Sequence, residues 1–384
     1  MNFRRTNPYT AAFLYGLIAL VIWWVVVAGP VTVYRTLVYH FSGIDDHRIF
    51  PQRKLTAAPL AFRFRESVNS ENNFPRVSVG GRKDVSLADF LEDTETTAFL
   101  MVRDDAILVE RYFNGYERST LSLSFSIAKS VLSLLVGCAL SDGYLHSIDQ
   151  PVTDFVPELT AKGFAAVTPR HLLQMTSGID YTENDFPFGL HVRFYYTNRF
   201  EEEILKLRLR EPPGSRFLYK SGDAFLLTLV LRRALGHKSI TEYTQERVWS
   251  PLGMEHDGAW SVDHAPDGLE KTGCCLAATA RDFAKIGRLY LNKGQWDGRR
   301  IVPEACVTES TRIDTTKGRA WEYQYMWWLV SPDRLDFMAT GHLGQFLYVN
   351  PVSKVIVVRL GKGLGGLSLE EWKAVFVSLS DNVP

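Results

Sequence analysis

The chain has 384 residues, 46% apolar and 22% charged, enough for one large domain or two modest ones with a sizeable core. Its 43 basic and 43 acidic residues cancel, which excludes the electrostatic footprint of a nucleic-acid or polyanion-binding protein and favours small or neutral substrates. The four cysteines (Cys138, Cys274, Cys275, Cys306) form no C-x-x-C pair and no zinc-type spacing with histidine, so neither a metal nor another cofactor is expected. They read as separate structural thiols, since adjacent Cys274 and Cys275 would close a strained ring if joined.

In chain order, the first element is apolar. No charge falls between Thr6 and Tyr34, and Ala11–Ala28 is long enough to cross about 30 Å of hydrocarbon. Residues 1–35 are therefore expected to be a retained membrane anchor; the run is longer than a signal peptide's apolar region, and its end offers a poor cleavage site. Arg4 and Arg5 before the span suggest a cytoplasmic N-terminus and an extracytoplasmic, periplasmic domain. Arg35, Arg48, Arg53 and Lys54 beyond it, partly offset by Asp45 and Asp46, leave the orientation open. Residues 36–73 lack periodicity and read as a linker, with the folded domain (74–384) starting near Phe74.

Ala98–Val102 and Ile107–Tyr112 predict a β-hairpin turning at 103–106. The period then changes, and Ser126–Leu140 predicts an apolar helix that stops before Asp142-Gly143. Further helical stretches (Pro169–Met175, Ala224–Ala234, Ala278–Asn292) make 125–320 a mostly helical region. Strand patterns return at Gly344–Val349 and Lys354–Leu360, and Ser368–Ser378 closes the chain as a helix. The expected fold is α+β: an antiparallel sheet flanked by helices, with an inserted all-helical region and one preceding transmembrane helix.

Three short motifs carry chemistry. In Ser126-Ile127-Ala128-Lys129, positions i and i+3 share a helix face, so the lysine amine can take the serine's proton. Tyr219-Lys220-Ser221 lies in a turn before a helix, and His342-Leu343-Gly344-Gln345 leads into a strand. Singly, each has a plainer reading: Ser126 as a helix cap, Lys129 as a solvated residue, Tyr219 as a half-buried ring. Together, and with HLLQMTSGIDY, SPLGME and LAATARDFAKIGRLYLNKGQW, they resemble the serine β-lactamase and penicillin-binding protein superfamily over about residues 90–365. The branch resembled holds class C β-lactamases, DD-peptidases, esterases and 6-aminohexanoate-dimer hydrolases.

The resemblance implies Ser126 as acylated nucleophile, Lys129 and Tyr219 as proton-transfer partners, and the third motif as a wall of the pocket. Backbone N–H groups of Ser126, at a helix N-terminus, and of Gln345 are then the expected oxyanion donors, with Gly344 letting the backbone approach substrate. Ser221 and His342 are expected to tune the network. Tyr181 and Phe194-Tyr195-Tyr196 are either cleft lining or core. Two decoys are set aside: Lys271-Thr272-Gly273 spells a family box but stands too far upstream, and Gly361–Gly366 leaves too little chain for a dinucleotide-binding unit and reads as a turn.

Departures from the family pattern shape the functional expectation. His342 replaces the usual lysine, Leu343 a threonine, and Ser221 an asparagine, which weakens the grip on an anionic drug. The reading is a membrane-anchored serine hydrolase cleaving a small ester or amide through an acyl-enzyme on Ser126. The alternatives are DD-peptidase or β-lactamase activity, and an acylatable sensor without turnover.

Overall fold

The computed structural model describes residues 7–66 and 76–383; Arg4, Arg5 and Phe74 lie outside them. At the centre is an eight-stranded sheet in the order Tyr323–Gln324, Trp327–Leu329, Phe337–Gly341, Gln345–Asn350, Val355–Gly361, Thr96–Arg103, Ala106–Tyr112, Arg65–Glu66. Its pairs are antiparallel except at the last edge, where Arg65–Glu66 runs parallel to Ala106–Ile107. The expected hairpin is present: Asp104 and Asp105 both take positive φ, as a two-residue turn matching strand twist requires.

Both sheet faces are covered, and the strand alternation shows it. Ala98, Leu100 and Val102 point to one core with Leu347, Val349, Ile356 and Val358, under the helices Ile127–Ser141 and Ala280–Leu291. Phe99, Met101, Phe346, Tyr348 and Val357 point to the other, under Leu369–Asp381 and Leu87–Asp93. Gly287 lets the first layer close tightly, since a Cβ there would sit 2.8 Å from Ile356 and 3.0 Å from Leu347. The closing helix begins where the sequence placed it, with Ser368 and Glu371 capping each other's backbone.

The middle region is helical but interrupted. A second, four-stranded antiparallel sheet joins Gln52–Leu55, Gly258–Ser261, Leu276–Ala278 and Ser122–Leu123. Its first strand corrects the expected linker: the described part of 36–73 is built into the fold, with Ile44, Phe50, Leu55 and Phe64 buried. Those apolar residues stand singly among polar ones, so no periodicity betrays them.

The helix Pro8–Ala28 is long and apolar enough to cross a membrane, and most of it is exposed. One side of its end is covered, with Trp24 and Ala28 buried, while Val26 and Val27 stay exposed. After Gly29 a second helix, Pro30–Tyr39, packs on Leu190–Tyr196, and Arg35 donates to the Tyr196 carbonyl at 3.0 Å.

Candidate active site

The nucleophile candidate sits where the small sheet hands the chain to a buried helix. Ser122–Leu123 pairs with Ala277–Ala278, Ser124 N–H donates to the Leu276 carbonyl at 2.8 Å, and Phe125 then takes φ 43° before the helix begins. Positive φ on a bulky residue is strained, and such strain persists only where surrounding structure holds it. The turn presents Ser126 half-buried at the helix head. Its hydroxyl makes no capping bond; Lys129 Nζ stands 2.6 Å from it instead.

Lys129 is 1% exposed, which disposes of the solvated reading. Nζ also donates to the Gly273 carbonyl at 2.9 Å and lies 5.2 Å from the centre of the Tyr219 ring. Among the described residues it meets neutral oxygens and that ring rather than a carboxylate. Gly273 therefore matters after all, as the carbonyl that aims the lysine. Lys271, two residues back, is fully buried with Nζ 3.1 Å from the Phe194 carbonyl and rings of Phe200 and Phe50 at 4.6 and 5.4 Å. Burial pushes it down to about 7 despite Asp263.

Tyr219 stands in the same cleft as Ser126, its ring braced by Trp328 at 5.5 Å and Tyr323 at 5.7 Å. Behind it, Ser221 opens the helix Ser221–Ala234 and donates its backbone N–H to Glu183. Glu183 also pairs with His191 at 3.2 Å, and that ring shares a hydrogen bond with Tyr181 at 2.9 Å. Burial, with Glu183 nearby, raises the Tyr181 phenol well above its usual value. Asp223 is held beneath the turn by Ser177 and, at 3.4 Å, by Lys220; burial raises it to about 6 against the pull of that lysine.

The opposite wall is the end of the strand Phe337–Gly341, beyond its pairing with Trp327–Leu329. Thr340, Gly341, His342 and Leu343 face the cleft. A Cβ on Gly341 would lie 2.4 Å from the Ser124 carbonyl and 3.2 Å from the Phe125 Cβ, so glycine is what lets this backbone press against the approach to Ser126. His342 is exposed, edge-on to Phe125 at 5.3 Å; the surrounding walls lower its pKa while Asp185 opposes the shift.

Four sequence expectations change here. Gln345 does not face the cleft: it is fully buried, and its amide donates to the carbonyls of His342, Leu343 and Gly361 while accepting from the Gly361 N–H. A tight turn at His342–Gly344, with Leu343 at φ 59°, carries the chain behind the wall before Gln345 is reached. Gly344 is on the wall, but the space it leaves belongs to Arg359, whose Nη1 would be 2.0 Å from a Cβ; this buried guanidinium donates to the Gly344 carbonyl at 2.7 Å and the Leu343 carbonyl at 3.3 Å. Tyr181 is core, packed on Phe194 and Phe225, whereas Tyr195 and Tyr196 do line the cleft. Cys274 and Cys275 are joined as a disulfide, not separate thiols, and Cys274 reaches the cleft. Both cysteines donate their backbone N–H to the Lys271 carbonyl, at 3.1 and 2.9 Å, and Cys275 accepts from the Ser261 N–H of the small sheet at 2.9 Å.

The cleft encloses about 450 Å³. Sequence reasoning missed Glu183, His191 and Asp185, which lack any local motif, and His40-Phe41-Ser42, which join the wall from the segment expected to be linker.

Comparison with known proteins identifies the family and the fold. The chain is 27% identical over 291 residues to 6-aminohexanoate-dimer hydrolase of Paenarthrobacter ureafaciens, covering 70% of this chain and 73% of that one. A Bacillus anthracis structure named for 6-aminohexanoate-dimer hydrolase superposes with a TM-score of 0.78 at 23% identity, over 89% of this chain and 92% of that one. A family VIII carboxylesterase gives 0.60 at 18%, over 77% and 93%. The family model for Beta-lactamase matches residues 87–377, and the chain therefore belongs to the serine β-lactamase and penicillin-binding protein superfamily.

Proposed function

We propose that this protein is a membrane-anchored serine hydrolase that cleaves an ester or amide bond through a covalent acyl-enzyme on Ser126. The observation that carries the reading is the 2.6 Å contact between Ser126 Oγ and the buried Lys129 Nζ, in one cleft with Tyr219. Ser126 Oγ attacks the carbonyl carbon as its proton passes to Lys129, and the Ser126 N–H at the helix head stabilises the oxyanion. The backbone N–H of His342, next after Gly341 on the facing wall, takes the second donor role first expected of Gln345. Tyr219 delivers a proton to the departing alcohol or amine and is reprotonated from Lys129, and the same groups activate water for deacylation.

Substrate preference follows from the same wall. With Thr340-Gly341-His342-Leu343 there, no lysine is supplied by the third motif to hold a substrate carboxylate, which favours esters and linear amides over β-lactams. The amide and ester hydrolases among the relatives support this choice. The anchor is supported by the apolar helix, which is long enough to cross a bilayer and whose Trp24 meets Phe188 of the domain. The Cys274–Cys275 disulfide supports a domain on the oxidising, periplasmic side.

Ser126→Ala should abolish fluorophosphonate labelling and ester turnover while the protein still melts as wild type. Retained turnover would remove Ser126 from the role. A stable acyl adduct without multiple turnover would favour the sensor reading, and release of terminal D-alanine from peptides the DD-peptidase one.

A further inference from the structure

The loop that walls the cleft also touches the apolar helix. Glu183, Asn184 and Asp185 line the cavity, and a few residues on, Phe188 lies 4.5 Å from Trp24, ring to ring, with Phe186 tilted against it at 5.5 Å. Trp24 is one turn, about 6 Å, from the end of the helix at Ala28. Phe186 and Phe188 nevertheless remain 60% and 45% exposed. Large apolar side chains left open beside a candidate span are unfavourable in water and favourable in the interfacial zone of a bilayer.

The second connection runs through Gly29. The Arg199 guanidinium packs against that glycine, placing a cation at the level where the span ends. From there the helix Pro30–Tyr39 exposes Tyr34, Leu37 and Val38 and delivers His40-Phe41-Ser42 to the cleft, with Phe41 81% exposed. The exposed rings of the loop, the apolar side chains of this helix and the cleft rim are thus joined to the last turn of the span by direct packing. A bilayer that accepts Pro8–Ala28 up to that turn must meet the rim.

We propose that the cleft opens onto the membrane interface and draws its substrate from the bilayer: an amphiphile whose apolar tail stays in the lipid while its ester or amide, at headgroup depth, enters beside Phe186 and Phe188 to reach Ser126. The inference rests on the serine-hydrolase reading and names its substrate class. The chemistry is unchanged: Ser126 Oγ forms the acyl bond, the bond to the departing alcohol or amine breaks, and that group leaves with a proton.

The test uses the full chain in phosphatidylcholine vesicles and two fluorophosphonates, one water-soluble and one with a hexadecyl tail. The tailed probe is placed in the same bilayer as the protein, or in protein-free vesicles mixed with it. Labelling should be about ten-fold faster when probe and protein share a bilayer, and Phe186→Ser/Phe188→Ser should remove about ten-fold of the tailed probe's rate while leaving the soluble probe's rate unchanged. Ser126→Ala should abolish both labels. Equal labelling from separate vesicles, or a double variant that slows both probes alike, overturns the membrane route while the hydrolase reading stands. Absence of Ser126 labelling by either probe overturns the hydrolase reading, and the route with it.

Discussion

Adding one methyl group at Gly341 should cripple catalysis without unfolding the protein. Gly341 has φ −131° and ψ 156°, extended backbone that alanine adopts freely, so the effect of Gly341→Ala is purely steric. The new Cβ would lie 2.4 Å from the Ser124 carbonyl and 3.0 Å from the Gln345 Cβ, and reaching an ordinary contact requires the strand end or the Ser124–Phe125 turn to retreat by about 0.6–1 Å. Overpacking of that size costs about 1–3 kcal/mol, small beside a typical stability of about 5–15 kcal/mol. The same displacement separates Ser126 from the facing wall, and misplacement by about 1 Å costs roughly a hundred-fold in rate. The assay pairs ester turnover and fluorophosphonate labelling rates with thermal unfolding, all on the detergent-solubilised full chain. A fall in kcat of roughly 10–100-fold with a modest loss of Tm is expected. Turnover within about three-fold of wild type would refute the reasoning, because it would mean that the contact between these two backbones does not set the width of the site.

Two further substitutions separate chemistry from folding. Tyr219→Phe keeps the ring against Trp328 and Tyr323 but removes the hydroxyl; turnover should fall by about 10²–10⁴ with no change in thermal unfolding, and unaltered kcat would exclude Tyr219 from proton transfer. Lys271 tests the interior: folded, it releases its proton near pH 7, whereas the unfolded chain holds it to about pH 10.5, so wild-type stability should climb between those limits and be indifferent to this group below them. Lys271→Met should flatten that climb and stabilise the protein most below pH 7, by at most about 5 kcal/mol before the lost bond to the Phe194 carbonyl is deducted. Denaturation at pH 6 and 10, about a unit outside the midpoint and near the upper limit, measures it, and parallel profiles for the two proteins would contradict the burial argument.

What the sequence disclosed was local. The Ser126–Lys129 spacing, the hairpin turn within 103–106 and the start of the closing helix at Ser368 each depend on residues within a turn of one another, and all three appear in the structure as expected. What it concealed depends on distant partners. The third motif meets the cleft a few residues earlier than expected, because only the pairing of Gly341 with Gln345 across the tight turn, and the approach of Gly341 to Ser124, show which glycine presses on the turn before Ser126. Glu183 acquires meaning only when Ser221 and His191 converge on it, and the strand Gln52–Leu55 only when Gly258–Ser261 lies beside it. Tyr181 and Tyr195 are indistinguishable as letters; the helices they pack against send one into the core and the other to the cleft.

Arg359 gives the C-terminal helix a second office. Its guanidinium rests 4.6 Å over the Trp372 ring while it donates to Leu343 and Gly344 in the cleft wall and, at 3.1 Å, to Thr96 Oγ1 in the neighbouring strand. The wall facing Ser126 is thus hung from a helix that contributes no reacting group. A chain ending before Leu369 would keep every residue of the proposed chemistry and still lose the ring that steadies this cation, so inactivity in such a truncation would report a fallen wall rather than a missing catalyst.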